Sequence, residues 1–313
     1  MKHSEFTEKF HWMNGLSEYF RYTGQEHKYE PIFKALYHSN YYRKRDILVQ
    51  LITRERLQFD SASEEIVKAW VNMLLNEHFD DIEVKPELIT SLLSLYSNDV
   101  FVERIIRFIS YFTFEHSTDL LLPDLGDFLS RGQVKSKLWM VDELEKVVDG
   151  PLGNVVFYGG WYNFMAHFLF SMFDVNKIYS IDLDSGLVGP LMCLYENEIA
   201  NNKFSSISSD VNKIAWDGNK FKIIDRNRDI ERSDIANIII NTSCEHMPND
   251  WFHNLPDGTF VVLQTNDYFS NPQHSNCCEN LEAAKAKYPM QNFMYAGELD
   301  TQLYNRFMLI GIK

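Results

Sequence analysis

The sequence predicts an α/β protein whose mostly parallel sheet ends in an antiparallel hairpin and follows an all-helical N-terminal domain. Three observations predict it. Apolar residues recur at helical spacing early in the chain, and short β-branched runs alternate with longer apolar segments later. Two strand-like pieces, 293–297 and 306–312, close the chain of 313 residues. The predicted domains are therefore residues 1–130, which are helical, and residues 131–313, which hold the sheet.

Residues 1–130 carry helical signals but no recognisable chemistry. Ser61 and Glu64 have the spacing of a capping box, and Pro86 is placed to open a further helix. Residues 119–132 are rich in helix breakers, which is typical of a connector. We interpret the first domain as a cap, a docking module or an acceptor-recognition module.

The segment that ends at Asp182 predicts the first βαβ unit of a nucleotide-binding sheet. An apolar strand ends at Tyr158, and Gly159 and Gly160 break it. An apolar helix then follows over residues 161–173, and a second strand ends at Asp182. Glycines let a ligand approach the backbone, and an acid at a strand tip accepts hydrogen bonds from ribose hydroxyls. The dinucleotide fingerprint G-x-G-x-x-G is absent, and the spacing suits either NAD or S-adenosylmethionine (SAM).

The rest of the chain continues the same alternation. Asp210 follows a short strand and is a third acidic strand tip. The pattern predicts four or five parallel strands with crossover helices between them. The further elements are a helix before the first strand, a second crossover helix, a short alternating stretch, two buried strands and a last helix, at residues 133–148, 186–200, 219–225, 236–241, 259–263 and 280–287.

Polar residues follow two of the buried strands. Asn241, Glu245 and His246 lie in a run of polar or reactive residues that packing alone does not explain. Glu245 or His246 is a candidate general base, since histidine titrates near neutrality and burial raises the pKa of a glutamate toward it. The alternative is that these residues only order the loop. A second cluster after the next strand is either an acceptor site or a turn, and it consists of Asn266, Asp267 and Tyr268.

The order of elements over residues 133–313 resembles class I (Rossmann-like) SAM-dependent methyltransferases, which end in such a hairpin. The resemblance implies that SAM is the cofactor. It implies that Asp182 holds the ribose hydroxyls and that Asp210 contacts the adenine amino group. The same resemblance places Tyr158, Gly159 and Gly160 beside the methionine part of SAM. Asn163 stands where the family's motif usually has a further glycine.

The resemblance also implies the roles of the two polar clusters. Asn241, Glu245 and His246 would lie beside the transferred methyl as catalytic residues, and Asn266, Asp267 and Tyr268 would help to form the acceptor site. The predicted reaction is methyl transfer to an N or O acceptor. A catalytically inactive methyltransferase-like module with an interaction role is the first alternative, and a nucleotide-dependent oxidoreductase is the second.

The amino-acid composition limits the classes of molecule that the protein is expected to bind. The net charge of −14 disfavours nucleic acid as a partner, because neutralising phosphates needs clustered lysine and arginine. A small-molecule acceptor is therefore slightly favoured over a protein acceptor, and an oligomer or complex partner remains open. No signal peptide and no membrane span are predicted.

The four cysteines show no C-x-x-C spacing, which indicates a reducing, cytoplasmic location. We predict no metal site. The loop that holds His274, Cys277 and Cys278 lacks a further ligand nearby in the sequence.

Overall fold

The computed structural model describes residues 129–313 continuously, and before them residues 18, 19, 21–24, 100, 104, 107 and 108. The chain divides into two compact units, Met1–Lys135 and Ser136–Lys313. The predicted helices of residues 1–130, their capping box and most of the connector lie outside the described residues. The helical N-terminal domain therefore stays a prediction, and the fold below is that of the second unit and the helix that leads into it.

Helices are short in the described part of the chain. The longest has 17 residues, and none found there is long and apolar enough to span a membrane. The α-helices are α1 Arg131–Val147, α2 Met165–Met172, α3 Val188–Leu194, α4 Glu196–Ala200, α5 Asp250–His253 and α6 Leu281–Lys287. Single 3-10 turns occur at Ser185–Leu187, Val211–Lys213 and Cys244–His246.

Ten strands form two sheets in the described residues. They are β1 Gly153–Tyr158, β2 Val175–Asp182, β3 Phe204–Ser208, β4 Ala215–Asp217, β5 Lys220–Asp225, β6 Ile230–Ile235, β7 Ile238–Asn241, β8 Phe260–Asn266, β9 Asn292–Asp300 and β10 Asn305–Ile312. The larger sheet has seven strands in the order β3-β2-β1-β7-β8-β10-β9. Strands β3, β2, β1, β7 and β8 are parallel, and β10 is antiparallel to both β8 and β9. This confirms the predicted mostly parallel sheet with a terminal antiparallel hairpin.

The connection between β3 and β7 is not a crossover helix, and the alternating stretch predicted at 219–225 forms β5 within it. A three-stranded antiparallel sheet, β4-β5-β6, takes its place. The reason is the pattern of β5, in which Phe221, Ile223 and Asp225 are buried and their neighbours exposed, a period of two that suits a strand. The backbone N–H of Arg226, directly after β5, also donates to the Ser208 carbonyl at 2.9 Å, which connects the small sheet to the end of β3.

An aromatic cluster packs beneath the carboxyl end of the sheet. The Trp251 ring is fully buried and lies edge-on to the rings of Tyr158 and Phe252, at centroid distances of 5.4 and 5.8 Å. Tyr288 from the end of α6 lies 6.0 Å from the same indole. The cluster therefore joins the tip of β1 to the helices that follow β7 and β8.

Candidate functional site

The turn after β1 touches the polar run after β7. Gly159 has a φ of 61°, in the left-handed region that favours glycine. A Cβ at this position would lie 2.7 Å from the Met247 Cε and 3.5 Å from the Ser243 Cβ. Tyr158 turns its own side chain into the core, where it is 1% exposed, so only its backbone is placed to face a ligand. The two predicted halves of the site are thus adjacent.

The rest of the glycine turn is closely packed. Trp161 and Asn163 both have a φ of 47°, which is unusual for residues with a side chain. A Cβ on Gly160 would lie 2.6 Å from the Ser180 Oγ and 3.2 Å from the Asn163 Nδ2. The Ser180 Oγ is buried and has no hydrogen-bond partner among the described residues. Gly160 is therefore needed for the close approach of β2.

Gly160→Ala should lower the free energy of unfolding by about 1–3 kcal/mol, the usual cost of overpacking. The added methyl would collide with the Ser180 Oγ. Ser180→Ala alone should be near neutral, because its buried hydroxyl makes no hydrogen bond with the described residues. Urea denaturation of the two single variants and the double variant checks this, and the double variant should recover most of the loss. Equal losses in the single and double variants would show that the collision is not the cause.

Asp182 ends β2 and binds the glycine turn. Its Oδ2 accepts a hydrogen bond from the Trp161 N–H at 2.9 Å, and its Oδ1 accepts from the Asp184 N–H at 3.0 Å. Burial raises the pKa of Asp182, while these backbone hydrogen bonds oppose the shift. A carboxylate offers about four acceptor positions, so Asp182 can accept from a ligand hydroxyl besides these backbone groups. Beside it, the Leu183 side chain is 63% exposed, so an apolar surface adjoins the acid.

Asp210 follows β3 and caps the 3-10 turn after it. Its Oδ1 accepts from the Asn212 backbone N–H at 3.0 Å and from the Asn212 Nδ2 at 3.1 Å. The tip of β3 lies next to that of β2, since the Ser209 N–H donates to the Asp182 carbonyl at 2.8 Å. The structure therefore places Asp210 at the same edge as Asp182, with its carboxylate engaged in local capping.

Asn241, the last residue of β7, shapes the loop that follows. Its side chain is fully buried. The Oδ1 accepts from the Ser243 N–H at 2.9 Å, and the Nδ2 donates to the Met247 Sδ at 3.4 Å. Because both ends of the amide are used, the contacts of Asn241 are those of a residue that orders the turn beside Gly159.

Glu245 is a buried carboxylate at the tip of β7 and is 1% exposed. Its Oε1 accepts from the Asn266 Nδ2 at 2.6 Å and lies 3.4 Å from the Nη2 of Arg306, which is 3% exposed. Its Oε2 is buried without a partner among the described residues. Burial raises the pKa of Glu245, and the Arg306 guanidinium opposes that shift. The predicted catalytic glutamate is thus one member of a buried ion pair.

Two histidines lie beside Glu245. The rings of His246 and His274 are 4.6 Å apart and nearly perpendicular. A carboxylate oxygen of Glu245 and a ring nitrogen of each histidine all lie within 4.8 Å of one another. The His246 side chain is exposed and that of His274 is partly buried. Burial lowers the pKa of His274, which favours its neutral form near pH 7.

The predicted acceptor residues have three different surroundings. Asn266 binds Glu245, as described, and its Oδ1 accepts from the Tyr268 N–H at 3.0 Å. The Asp267 carboxylate accepts from the Asn305 N–H at 2.7 Å and thereby holds the start of β10. Tyr268 stacks on Tyr304 at 5.3 Å and 14°. Asn266 and Tyr268 therefore adjoin the Glu245 cluster, and Asp267 serves a strand connection.

Sequence reasoning did not assign Arg306, His274 or Tyr304 to the site. Arg306 opens a strand, and nothing in a single sequence marks a strand arginine as buried. His274 stands alone in its loop, and only the fold brings it to His246. The one available signal was that Tyr304 directly precedes β10, Arg306 lies at its start and His274 lies in the loop after β8, two elements whose ends meet at the same edge of the sheet.

The sheet order, the glycine turn after β1 and the terminal antiparallel hairpin define the class: the described unit has the Rossmann-like fold of class I SAM-dependent methyltransferases. The resemblance drawn from the sequence is thus confirmed for the fold. No protein-family model matches the chain, and no curated protein matches it in sequence.

The solved structures that are similar to this chain include SAM-dependent methyltransferases. A SAM-dependent methyltransferase from Aquifex aeolicus is 13% identical over 55% of this chain and 88% of its own, with a TM-score of 0.40. The N-methyltransferase NodS from Bradyrhizobium japonicum, in complex with S-adenosyl-L-homocysteine, is 6% identical over 68% and 98%, with a TM-score of 0.43. A geranyl diphosphate methyltransferase in complex with SAM is 11% identical over 56% and 84%, with a TM-score of 0.41. Values this low carry no information on activity or acceptor.

Proposed function

We propose that the protein is a SAM-dependent methyltransferase that acts on an N or O acceptor. The supporting observation is the contact between the glycine turn and the polar run, in which Gly159 lies against Met247 and Ser243. Ligands of open α/β sheets bind outside the carboxyl ends of the strands. A cofactor held at the tips of β1 and β2 would therefore lie next to an acceptor held at the tips of β7 and β8.

The residues on the cofactor side fit SAM. The Asp182 carboxylate has lone pairs left for the two ribose hydroxyls, and the exposed Leu183 offers an apolar surface for the adenine. Because Gly159 has no side chain, the backbone of the turn can lie close to the strand tips, where a Cβ would not fit. Asp210 lies at the adjoining tip, where it is proposed to meet the adenine amino group.

On the acceptor side, the chain's own residues orient the acceptor and take its proton. Bound SAM would supply an electrophilic methyl group on a sulfonium, which an acceptor lone pair can attack. Glu245, held by Asn266 and Arg306, and the exposed His246 are placed to orient the acceptor. A histidine side chain can accept the acceptor's proton as a general base. Tyr268 and Tyr304 form an aromatic wall beside them.

The acceptor is proposed to be a small molecule rather than nucleic acid. The net charge of −14 opposes phosphate-rich partners. A protein acceptor is the second choice, and the N-terminal domain predicted from the sequence would then recognise it.

Isothermal titration of the full chain with SAM and with S-adenosylhomocysteine tests the proposal. We expect binding within about 1 μM to 1 mM, the range usual for enzyme substrates. Asp182→Ala should weaken it at least about tenfold, since hydrogen bonds to a charged group contribute about 1.5–3 kcal/mol each. The matched control is Asp184→Ala, which removes the same charge two residues away and loses only its cap on Gly186.

Three outcomes would oppose the proposal. Equal SAM affinity in Asp182→Ala and wild type would remove the ribose role. No binding of SAM at millimolar concentration would favour the alternative of a catalytically inactive module with an interaction role. Binding of NAD without any effect of SAM would favour the oxidoreductase. If SAM binds as expected, incubation with methyl-labelled SAM and acceptor candidates then tests transfer itself.

A further inference from the structure

Glu245, His246 and His274 form a compact set of ligand atoms at the tips of β7 and β8. We propose that this set, the Glu-His-His cluster, binds a divalent transition-metal ion of the Zn²⁺ or Fe²⁺ type. One oxygen and two ring nitrogens lie within 4.8 Å of one another. The proposal rests on the geometry of the cluster and does not depend on the methyl transfer proposed above.

The unpartnered oxygen of Glu245 is the second observation that points to a ligand. The residue is 1% exposed, and its Oε2 is buried with no partner among the described residues. Its Oε1 already binds Asn266 and Arg306. A buried carboxylate oxygen without a hydrogen bond is costly, and an ion or water at that atom removes the cost. The Oε1 contacts hold the carboxylate in place, as a metal ligand requires.

His274 is oriented as metal-binding histidines usually are. Its Nδ1 lies 3.1 Å from the Tyr268 carbonyl oxygen. Because a carbonyl oxygen can only accept, Nδ1 carries the proton and Nε2 carries the lone pair. Histidines that bind metals almost always donate their other ring N–H to a carboxylate, a backbone carbonyl or water in this way. The Asn271 Nδ2, 3.2 Å from that Nε2, is the group that the ion would displace.

The cluster must contract when the ion binds. Nitrogen and oxygen ligands of zinc lie about 2.0–2.2 Å from the metal, which sets tetrahedral ligands roughly 3.4 Å apart. The His246 side chain is exposed, so its ring can shift toward the ion into space that solvent occupies. Its backbone stays anchored, because the His246 N–H donates to the Ser243 carbonyl at 3.0 Å.

The ligand types select the class of ion. Imidazole suits zinc and iron, and two histidines with one carboxylate form both the His₂Glu zinc site and the facial triad of non-haem iron. Mg²⁺ and Ca²⁺ prefer oxygen ligands throughout. Three protein ligands leave at least one position open. A water or hydroxyl group bound there would have a lowered pKa, so the ion would activate it as a nucleophile.

The test uses the full chain after treatment with a chelator. Binding of Co²⁺ is measured by visible absorption during titration, and binding of Zn²⁺ is measured by equilibrium dialysis. Neither measurement contains SAM, so the result is independent of the proposed activity. We expect the wild type to bind one ion per chain. The variants His246→Gln and Glu245→Gln should each bind that ion at least tenfold more weakly. His246→Gln changes an exposed side chain and therefore leaves folding intact. His253→Gln, which changes an exposed histidine outside the cluster, should bind like the wild type.

Two results would overturn the proposal. One is the absence of Zn²⁺ and Co²⁺ binding by the wild type at millimolar concentration. The other is equal affinity and stoichiometry in the wild type, His246→Gln and Glu245→Gln, which would place any bound ion elsewhere on the chain. Displacement of the cobalt spectrum by Zn²⁺ but not by excess Mg²⁺ would support the proposed class of ion.

Discussion

Arg306→Leu should lower the free energy of unfolding by about 3–5 kcal/mol, as expected when one partner of a buried ion pair is removed. Arg306 and Glu245 are 3% and 2% exposed at their side chains, and their charged atoms lie 3.4 Å apart. Without the guanidinium, Glu245 loses its ion-pair partner and keeps the hydrogen bond from the Asn266 amide. Arg306 also donates to the Thr242 carbonyl at 3.2 Å, so the loop after β7 loses a contact as well.

Urea denaturation of the full chain measures this loss. Lys222→Gln is the control, because its pair with Glu231 is exposed on both sides and such pairs contribute about 0–1 kcal/mol. The double variant Arg306→Leu/Glu245→Gln removes the uncompensated charge and should recover a large part of the stability. A loss for Arg306→Leu no greater than that of Lys222→Gln would mean that the buried pair does not stabilise the folded chain.

Trp251→Ala should also lower the free energy of unfolding by about 3–5 kcal/mol, the usual cost of deleting a buried aromatic ring. The indole is fully buried and contacts Tyr158, Phe252 and Tyr288. Its removal leaves a cavity beneath the tip of β1, where the glycine turn begins. We therefore expect weaker SAM binding by Trp251→Ala as well, through displacement of that turn.

Trp251→Phe is the matched variant for this prediction. It keeps an aromatic ring in the cluster and removes the indole N–H, which is buried with no hydrogen-bond partner among the described residues. We expect it to cost less than half as much as Trp251→Ala in the same urea denaturation. Equal losses in the two variants would show that ring packing is not the source of the stability.

Much of the sheet could be predicted because its signals are local. The apolar run before Gly159 and the β-branched run before Asn241 are too short for helices and too apolar for loops. The step from β3 to β7 could not be assigned from such runs, since β4 and β6 are polar and mostly exposed. Their pairing partner β5 stabilises them, and that pairing is a tertiary contact.

The site could be predicted only in part, for a related reason. Parallel strands end at one edge of a sheet, so Asp182, Glu245 and Asn266 were expected there together. The sequence could not show that Asp267 binds Asn305 while Asn266 binds Glu245. Neighbouring residues in an extended chain point to opposite sides, and which side faces the cluster depends on how the whole sheet is packed.

By itself, the sequence determined the order of strands and helices in the seven-stranded sheet, the turn at Gly159 and the polar residues at the strand tips. These follow from short-range periodicity and from residue types with narrow backbone preferences. The tertiary structure alone decided that Arg306 pairs with Glu245 and that His274 lies beside His246. Those partners are separated by 61 and 28 positions in the chain. Contacts at such separations depend on the register of β10 against β8 and on the path of the loop after β8. Neither can be predicted from residues that are adjacent in the sequence.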